Sequence, residues 1–192
     1  MRVLIILATL LLLSVPAIAT PLSGKCEILF FGSSTLHDFE GKGSCAPFTL
    51  EIEPNGNLDD TGIAVPVASM DTDNDSRDEN MREMFEADKY PRIIGHLQST
   101  AVKDLRTQLH HAFDNGGTFP LSLRIRDTEQ QLKARVLQLI DTPKAFSVDF
   151  EFPLSLDSYH LDPPSILFIS VDDEIRVQVK LHLAPLPTAW QP

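Results

Sequence analysis

Phe146-Ser147-Val148-Asp149-Phe150-Glu151-Phe152-Pro153-Leu154-Ser155-Leu156 carries an apolar residue at every second position. Successive side chains of an extended chain point to opposite faces, so this run buries one face and wets the other. The same alternation pairs Phe48, Leu50 and Ile52 with Thr49, Glu51 and Glu53, and stops at the turn Pro54-Asn55-Gly56-Asn57. It returns in Phe119, Leu121, Leu123 and Ile125, and again in Ile175, Val177, Val179, Leu181 and Leu183. Ile63, Val65 and Val67 mark a further strand, where Pro66 implies an edge or a bulge. Gln131 to Ile140 reads as a strand with a less regular phase. Strands with one apolar and one polar face belong to an antiparallel sheet, and this many imply a barrel or a sandwich.

One segment breaks the period. Ser76-Arg77-Asp78-Glu79 has the form of a capping box, with Ser76 as the N-cap. Met81, Met84 and Phe85 follow at helical spacing, and Tyr90-Pro91 stops the helix. A single short helix between strands is the expectation. Gly116-Gly117 after Asp114-Asn115 reads as a hairpin turn.

The first nineteen residues read as a signal peptide. Arg2 precedes the apolar run Val3 to Leu13, and Ala17-Ile18-Ala19 supplies the cleavage signal before Thr20. That run is too short for an anchor, so the product is expected to be exported and not membrane-spanning. The expected organisation is residues 1–19 as leader, 20–184 as one domain, and 185–192 as a proline-rich trailing arm. The whole chain has 16 Lys and Arg against 27 Asp and Glu, a net charge of −11. That balance excludes a nucleic-acid partner, which needs a basic stripe.

Export makes the two cysteines informative. Cys26 and Cys45 are the only pair, and facing each other across a hairpin they centre the turn on Thr35-Leu36, inside a polar stretch. A structural disulfide is the leading reading; two free thiols and a redox pair are the alternatives. Phase is the difficulty. With Phe30 inward, Cys26 shares its side while Cys45 shares the polar side of Thr49, which calls for a bulge near Gly41 to Ser44 or for Phe31 as the inward residue instead.

Chemical motifs are few. Asp71-Thr72-Asp73-Asn74-Asp75-Ser76 opens like a calcium loop but has Ser76 at the sixth position and Arg82 at the twelfth, where Gly and Glu are needed. The six histidines show no ligand spacing, so no metal site is assigned. Ser33, Ser34, His37 and Asp38 lack a nucleophile elbow, and no glycine-rich phosphate loop occurs, so no catalytic residues are assigned. The phenylalanine stripe fits either a filled core or a barrel with an apolar cavity.

The stretch Ser69 to Pro91 resembles the most recognisable part of the YceI-like family, in which an R-D pair opens a short helix and F-x-A-x-x-Y-P closes it. Arg77, Asp78, Phe85, Ala87, Tyr90 and Pro91 match residue by residue. Ser34 to Gly41 is similar to that family's first hairpin, Pro120 to Ile125 to a later strand, and Val171 to Ile175 to its closing strand. Arg92 to Leu97 lacks the family's aromatic, and Arg126 to Gln131 replaces its G-V-T-K-x-V turn.

The resemblance implies an all-β, lipocalin-like, eight-stranded antiparallel barrel with one short inserted helix. It further implies a periplasmic protein without catalysis or cofactor, holding an isoprenoid lipid or quinone in an apolar cavity. On the alternation, Phe30, Phe48, Leu50, Ile52, Phe119, Leu121, Leu123, Phe146, Val148, Phe150, Phe152, Val177, Val179 and Leu181 point inward as its ligand-binding residues. The Arg77-Asp78 pair is expected to hold the helix to the strands. The rival reading is the same barrel with a filled core, acting on a membrane or periplasmic protein. A homodimer and an inner-membrane partner stay open.

Overall fold

The computed structural model describes residues 20–59, 62–96, 101–142, 145–163 and 171–184. The predicted leader and the trailing arm lie outside them. Nine strands form one antiparallel sheet: β1 (Thr20–Ser33), β2 (Asp38–Ser44), β3 (Phe48–Ile52), β4 (Gly62–Pro66), β5 (Arg92–His96), β6 (Thr118–Ile125), β7 (Thr128–Thr142), β8 (Ala145–Ser155) and β9 (Glu174–Ala184). Eight follow the order β2-β1-β9-β8-β7-β6-β5-β4, and β3 pairs with β1 off this path. The two ends meet. Lys42 N donates to Asp71 O (2.8 Å), Asp71 N to Lys42 O (2.9 Å), and Ala46 N to Ala64 O (2.8 Å). The sheet is therefore a nearly closed barrel, which removes most of its unpaired edge.

β1 is long because it serves two partners. Its second half pairs with β2, from Glu27↔Ser44 to Ser33↔Asp38, and its first half pairs with β3, from Thr20↔Ile52 to Gly24↔Phe48. The polar tip between Ser33 and Asp38 is the hairpin turn that the cysteine spacing predicts. Cys45-Ala46-Pro47 interrupts β2 and β3, and Cys26 and Cys45 are bridged there with Cα atoms 5.3 Å apart. The phase conflict is resolved at this break, just after the predicted stretch, and Cys45 N still reaches Cys26 O (3.2 Å).

The irregular phase of β7 has a similar cause. The β7–β8 register slips between Val136 and Gln138, so Leu137 is the extra residue of a bulge. Leu132, Ala134 and Val136 turn to the core before it, and Leu139 after it.

Among the described residues two α-helices are present rather than one. The first, α1 (Asp75–Met84), is capped by Asn74, whose Oδ1 accepts from Arg77 N (3.0 Å). The cap thus lies two residues before the predicted Ser76, because the Asn74 carboxamide takes the Arg77 amide and starts the helix half a turn earlier. The second, α2 (Val102–Asn115), buries Val102, Leu105, Leu109 and Ala112 on one face. Gly116 ends it in the left-handed region (φ 63°), and Gly117 N donates to Ala112 O (2.9 Å). The predicted Gly-Gly hairpin turn is a helix C-cap.

Asp78, Tyr90 and Pro91 of the family-like motif make contacts between elements. Asp78 is buried, and its Oδ1 accepts from Thr72 N (3.0 Å) and Thr72 Oγ1 (2.6 Å), which ties α1 to the chain leaving β4. Beyond α1, Glu86 pairs with Arg126 of the β6–β7 turn, and the Arg126 guanidinium lies 5.8 Å from the Tyr90 ring. Pro91 O accepts from Val67 N (2.9 Å).

Two predictions follow from these contacts. Thiol titration of denatured, unreduced protein is expected to find no free cysteine, and Cys26→Ser with Cys45→Ser to cost roughly 3 kcal/mol in urea unfolding, the loop-entropy value for a closure of this length. Tyr159 is buried with its hydroxyl on Leu123 O (3.2 Å), and burial raises its phenol from 10.0 to about 12. A raised folded-state value means that folding holds the proton, so this stability is complete below pH 10 and lost as pH climbs toward 12. Melting curves are expected to show Tyr159→Phe losing less stability than the parent chain across that interval.

Candidate functional site

Inside the barrel lies a cavity of about 240 Å³ with an almost wholly apolar wall. An eight-stranded barrel has an interior that side chains can just fill, or that can hold one small ligand. The wall is built from the inward face of each alternating strand. Phe119 and Phe150 meet edge to face with centroids 5.3 Å apart, and Phe152 stacks beyond Phe150 at 6.3 Å. Among the described lining residues only Thr72, Arg77, His96 and Ser122 carry polar side chains.

Of the fourteen residues predicted to point into a cavity, all but Phe48 and Ile52 line this one. Both exceptions are buried, so their inward phase is right and their position along the barrel is not. Phe48 stands opposite Gly24, and its ring lies where a Cβ of Gly24 would be. It is committed to the β1 backbone. Ile52 bridges to Leu58, and it is Leu58 that reaches the cavity. Phe30 uses the same device productively: it stands opposite Gly41, whose missing side chain lets the ring lie flat across β2 while lining the cavity.

Sequence reasoning missed the two ends. α1 contributes Met81 and Met84, with Phe85 and Met70 beside it, and α2 contributes Leu105 and Leu109. The Met81-Met84-Phe85 spacing was legible as a helix face, though not as a cavity wall. The signal for α2, Val102-Leu105-Leu109-Ala112, was also present in the spacing. The segment just after α1 pairs through Glu86 with Arg126 of the β6–β7 turn, where β7 begins, whereas α2 is held through Arg106 to Asp141, where β7 finishes. The two helices therefore close opposite ends.

The α2 end is pinned by charge. Asp141, its side chain 2% exposed, accepts on one oxygen from Arg106 Nε (2.7 Å) and Arg106 Nη2 (2.6 Å), with His110 Nε2 at 3.0 Å. His110 and its neighbour His111 diverge, as adjacent residues on a helix must. Among the described residues no group of three His, Cys, Asp or Glu side chains is placed to hold a metal. At the α1 end the calcium-loop look-alike is occupied by an ammonium group. Lys42 Nζ lies 3.2 Å from Asp71 Oδ2 and 3.1 Å from Asp73 Oδ1. The Asp73 backbone amide and Lys42 hold the Asp71 carboxyl below its usual range, and Asp73 and Asp71 raise the Lys42 ammonium.

The sequence profile of the YceI-like domain matches residues 30–183. The chain belongs to the YceI-like family. Among solved structures, a polyisoprenoid binding domain from Saccharophagus degradans, implicated in plant cell wall breakdown, aligns with a TM-score of 0.53 at 14% identity, over 85% of this chain and 98% of that one. BcnA of Burkholderia cenocepacia aligns with a TM-score of 0.54, also at 14% identity, over 83% and 96%. At this identity the two establish a shared YceI-like fold. No curated protein sequence matches the chain. Among the described residues no helix is long and apolar enough to cross a membrane.

The pinning of α2 generates a prediction. Asp141→Ala removes the buried carboxylate that Arg106 and His110 share, and removing one partner of a buried ion pair costs about 3–5 kcal/mol. Chemical unfolding is expected to show a loss near the lower end of that range, because Arg106 remains partly in water, with hydrogen exchange of α2 accelerated more than that of β8 and β9.

Proposed function

We propose that this YceI-like protein is an exported, periplasmic binding protein without catalysis of its own, carrying a long isoprenoid lipid with its tail in the barrel. The observation that carries this reading is the cavity: about 240 Å³, walled by apolar side chains from the strands and both helices. Withdrawing an apolar tail from water is worth roughly 25 cal/mol per Å² and asks for little polar recognition. A fold neighbour whose name gives it as polyisoprenoid-binding supports the choice of tail. The cavity volume falls just under the about 300–1,000 Å³ typical of ligand pockets, so a long tail must spread its walls. Met70, Met81 and Met84 line the α1 end and supply the adaptable side chains for that, since methionine has three rotatable bonds and a polarizable thioether.

Organic extraction of protein purified from a bacterial periplasm, followed by mass spectrometry, is expected to recover a polyprenyl lipid or isoprenoid quinone at near-stoichiometric yield. Recovery of no lipid would support the filled-core rival. The paired change Phe119→Trp with Phe150→Trp narrows the cavity at an overpacking cost of about 1–3 kcal/mol. Lipid occupancy is expected to fall by roughly five- to a hundredfold, with the circular dichroism spectrum unchanged. Unchanged occupancy in a folded variant would show that these rings do not line the binding site.

A further inference from the structure

Arg77 is the one charged side chain among the described residues that line the cavity. Its Nε is buried without a hydrogen-bond partner, and among the described residues its guanidinium has no carboxylate within ion-pair reach. Lys25, Arg82, Arg92, Lys103, Arg124, Lys133 and Lys180 also make no ion pair among the described residues, but all seven are exposed, whereas Arg77 is partly buried against an apolar wall. Lys42, Lys89, Arg106, Arg126, Arg135 and Arg176 each face an Asp or Glu. Asp78, next in sequence, is turned away onto Thr72, and the same contact occupies the Thr72 hydroxyl.

The guanidinium is also held in place. Its backbone is fixed by the Asn74 cap, and its Cζ lies 5.1 Å from the centroid of the Phe39 ring, itself part of the cavity wall. A cation beside an apolar cavity with unused donors is costly unless a ligand neutralises it. The planar fork suits a phosphate or carboxylate, which accepts two parallel charge-assisted bonds.

Resting on the lipid-binding reading above, we propose that Arg77 anchors the head group of the ligand, and that the lipid selected carries an anionic oxygen head, phosphate or carboxylate, on its apolar tail. The head sits at the α1 end and the tail runs toward α2. The protein's net charge of −11 repels anions at long range, so the selection comes from this short-range contact.

The test uses delipidated mature protein and equilibrium binding of geranylgeranyl phosphate, geranylgeraniol, palmitate and hexadecanol. The expected result is that the anion binds about 10–100-fold tighter than the alcohol of the same tail, the range of a charge-assisted bond. Arg77→Met is expected to abolish that preference while leaving alcohol affinity within about threefold, and Arg77→Lys to keep part of it. A preference shown with only one of the two anions supports the anchor and names the head. Equal affinity for anion and alcohol in the parent chain, or a preference that survives in Arg77→Met, overturns the anchor while the tail reading stands. Binding of none of the four probes overturns the cavity reading itself. Should Arg77→Met fail to fold by thermal melting, Arg77→Gln and Arg77→Lys carry the comparison.

Discussion

Closure of the sheet at the β2–β4 seam is the constraint on which the rest of the molecule depends. Only a few backbone bonds make it, chiefly the reciprocal pair between Lys42 and Asp71 and the bond from Ala46 to Ala64. The Lys42 ammonium adds ion pairs to Asp71 and Asp73, but its side chain is 58% exposed, and exposed pairs of this kind contribute little. Backbone pairing therefore carries the seam, and the chain beside it is stiffened from within. Thr72 is bound to buried Asp78, so the first turn of α1 is fixed to the segment that closes the barrel. Mouth and seam are thus one piece of structure.

The wall opposite is shaped by glycine. Gly24, Gly32 and Gly41 each stand directly across from a phenylalanine, and each missing side chain leaves room for that ring. The rings lie along the partner strand rather than filling the barrel axis. Phe30 and Phe39 thereby become wall, and space is left between them and the Phe119-Phe150-Phe152 cluster. The disulfide sits where β2 gives way to β3, the one place on this wall where the alternation breaks. It ties β1 to the chain just where the ladder between them is interrupted.

A cavity closed at one end by a salt-bridged helix and at the other by methionines and a lone arginine is polarised along its axis. The α2 end is locked by Asp141. The α1 end has methionines with several rotatable bonds and, over the Phe39 ring, a cation that makes no ion pair among the described residues. Entry of an amphiphile tail first through the α1 end would leave its head beside Arg77.

By itself the sequence determined which side of each strand is apolar, the centre of the first hairpin, the pairing of Cys26 with Cys45, and a helix after Asp71-Asp75. Each is a local or symmetric property, set by period-two alternation, by spacing about a turn, or by capping residues. The second helix was equally legible in Val102-Leu105-Leu109-Ala112, but the polar residues between hid it beside a glycine pair that resembled a hairpin turn. What only the tertiary structure decided was where each face lies along the barrel. Phe48 and Leu50 share a phase, yet one covers Gly24 and the other lines the cavity, because strand stagger and the Cys45–Pro47 break set axial position. In sequence, Arg77 and Asp78 are expected to act together in holding the helix to the strands. Thr72 captures the aspartate and the barrel surrounds the arginine with apolar wall, so the charge that distinguishes this cavity arises from contacts between segments that alternation cannot relate.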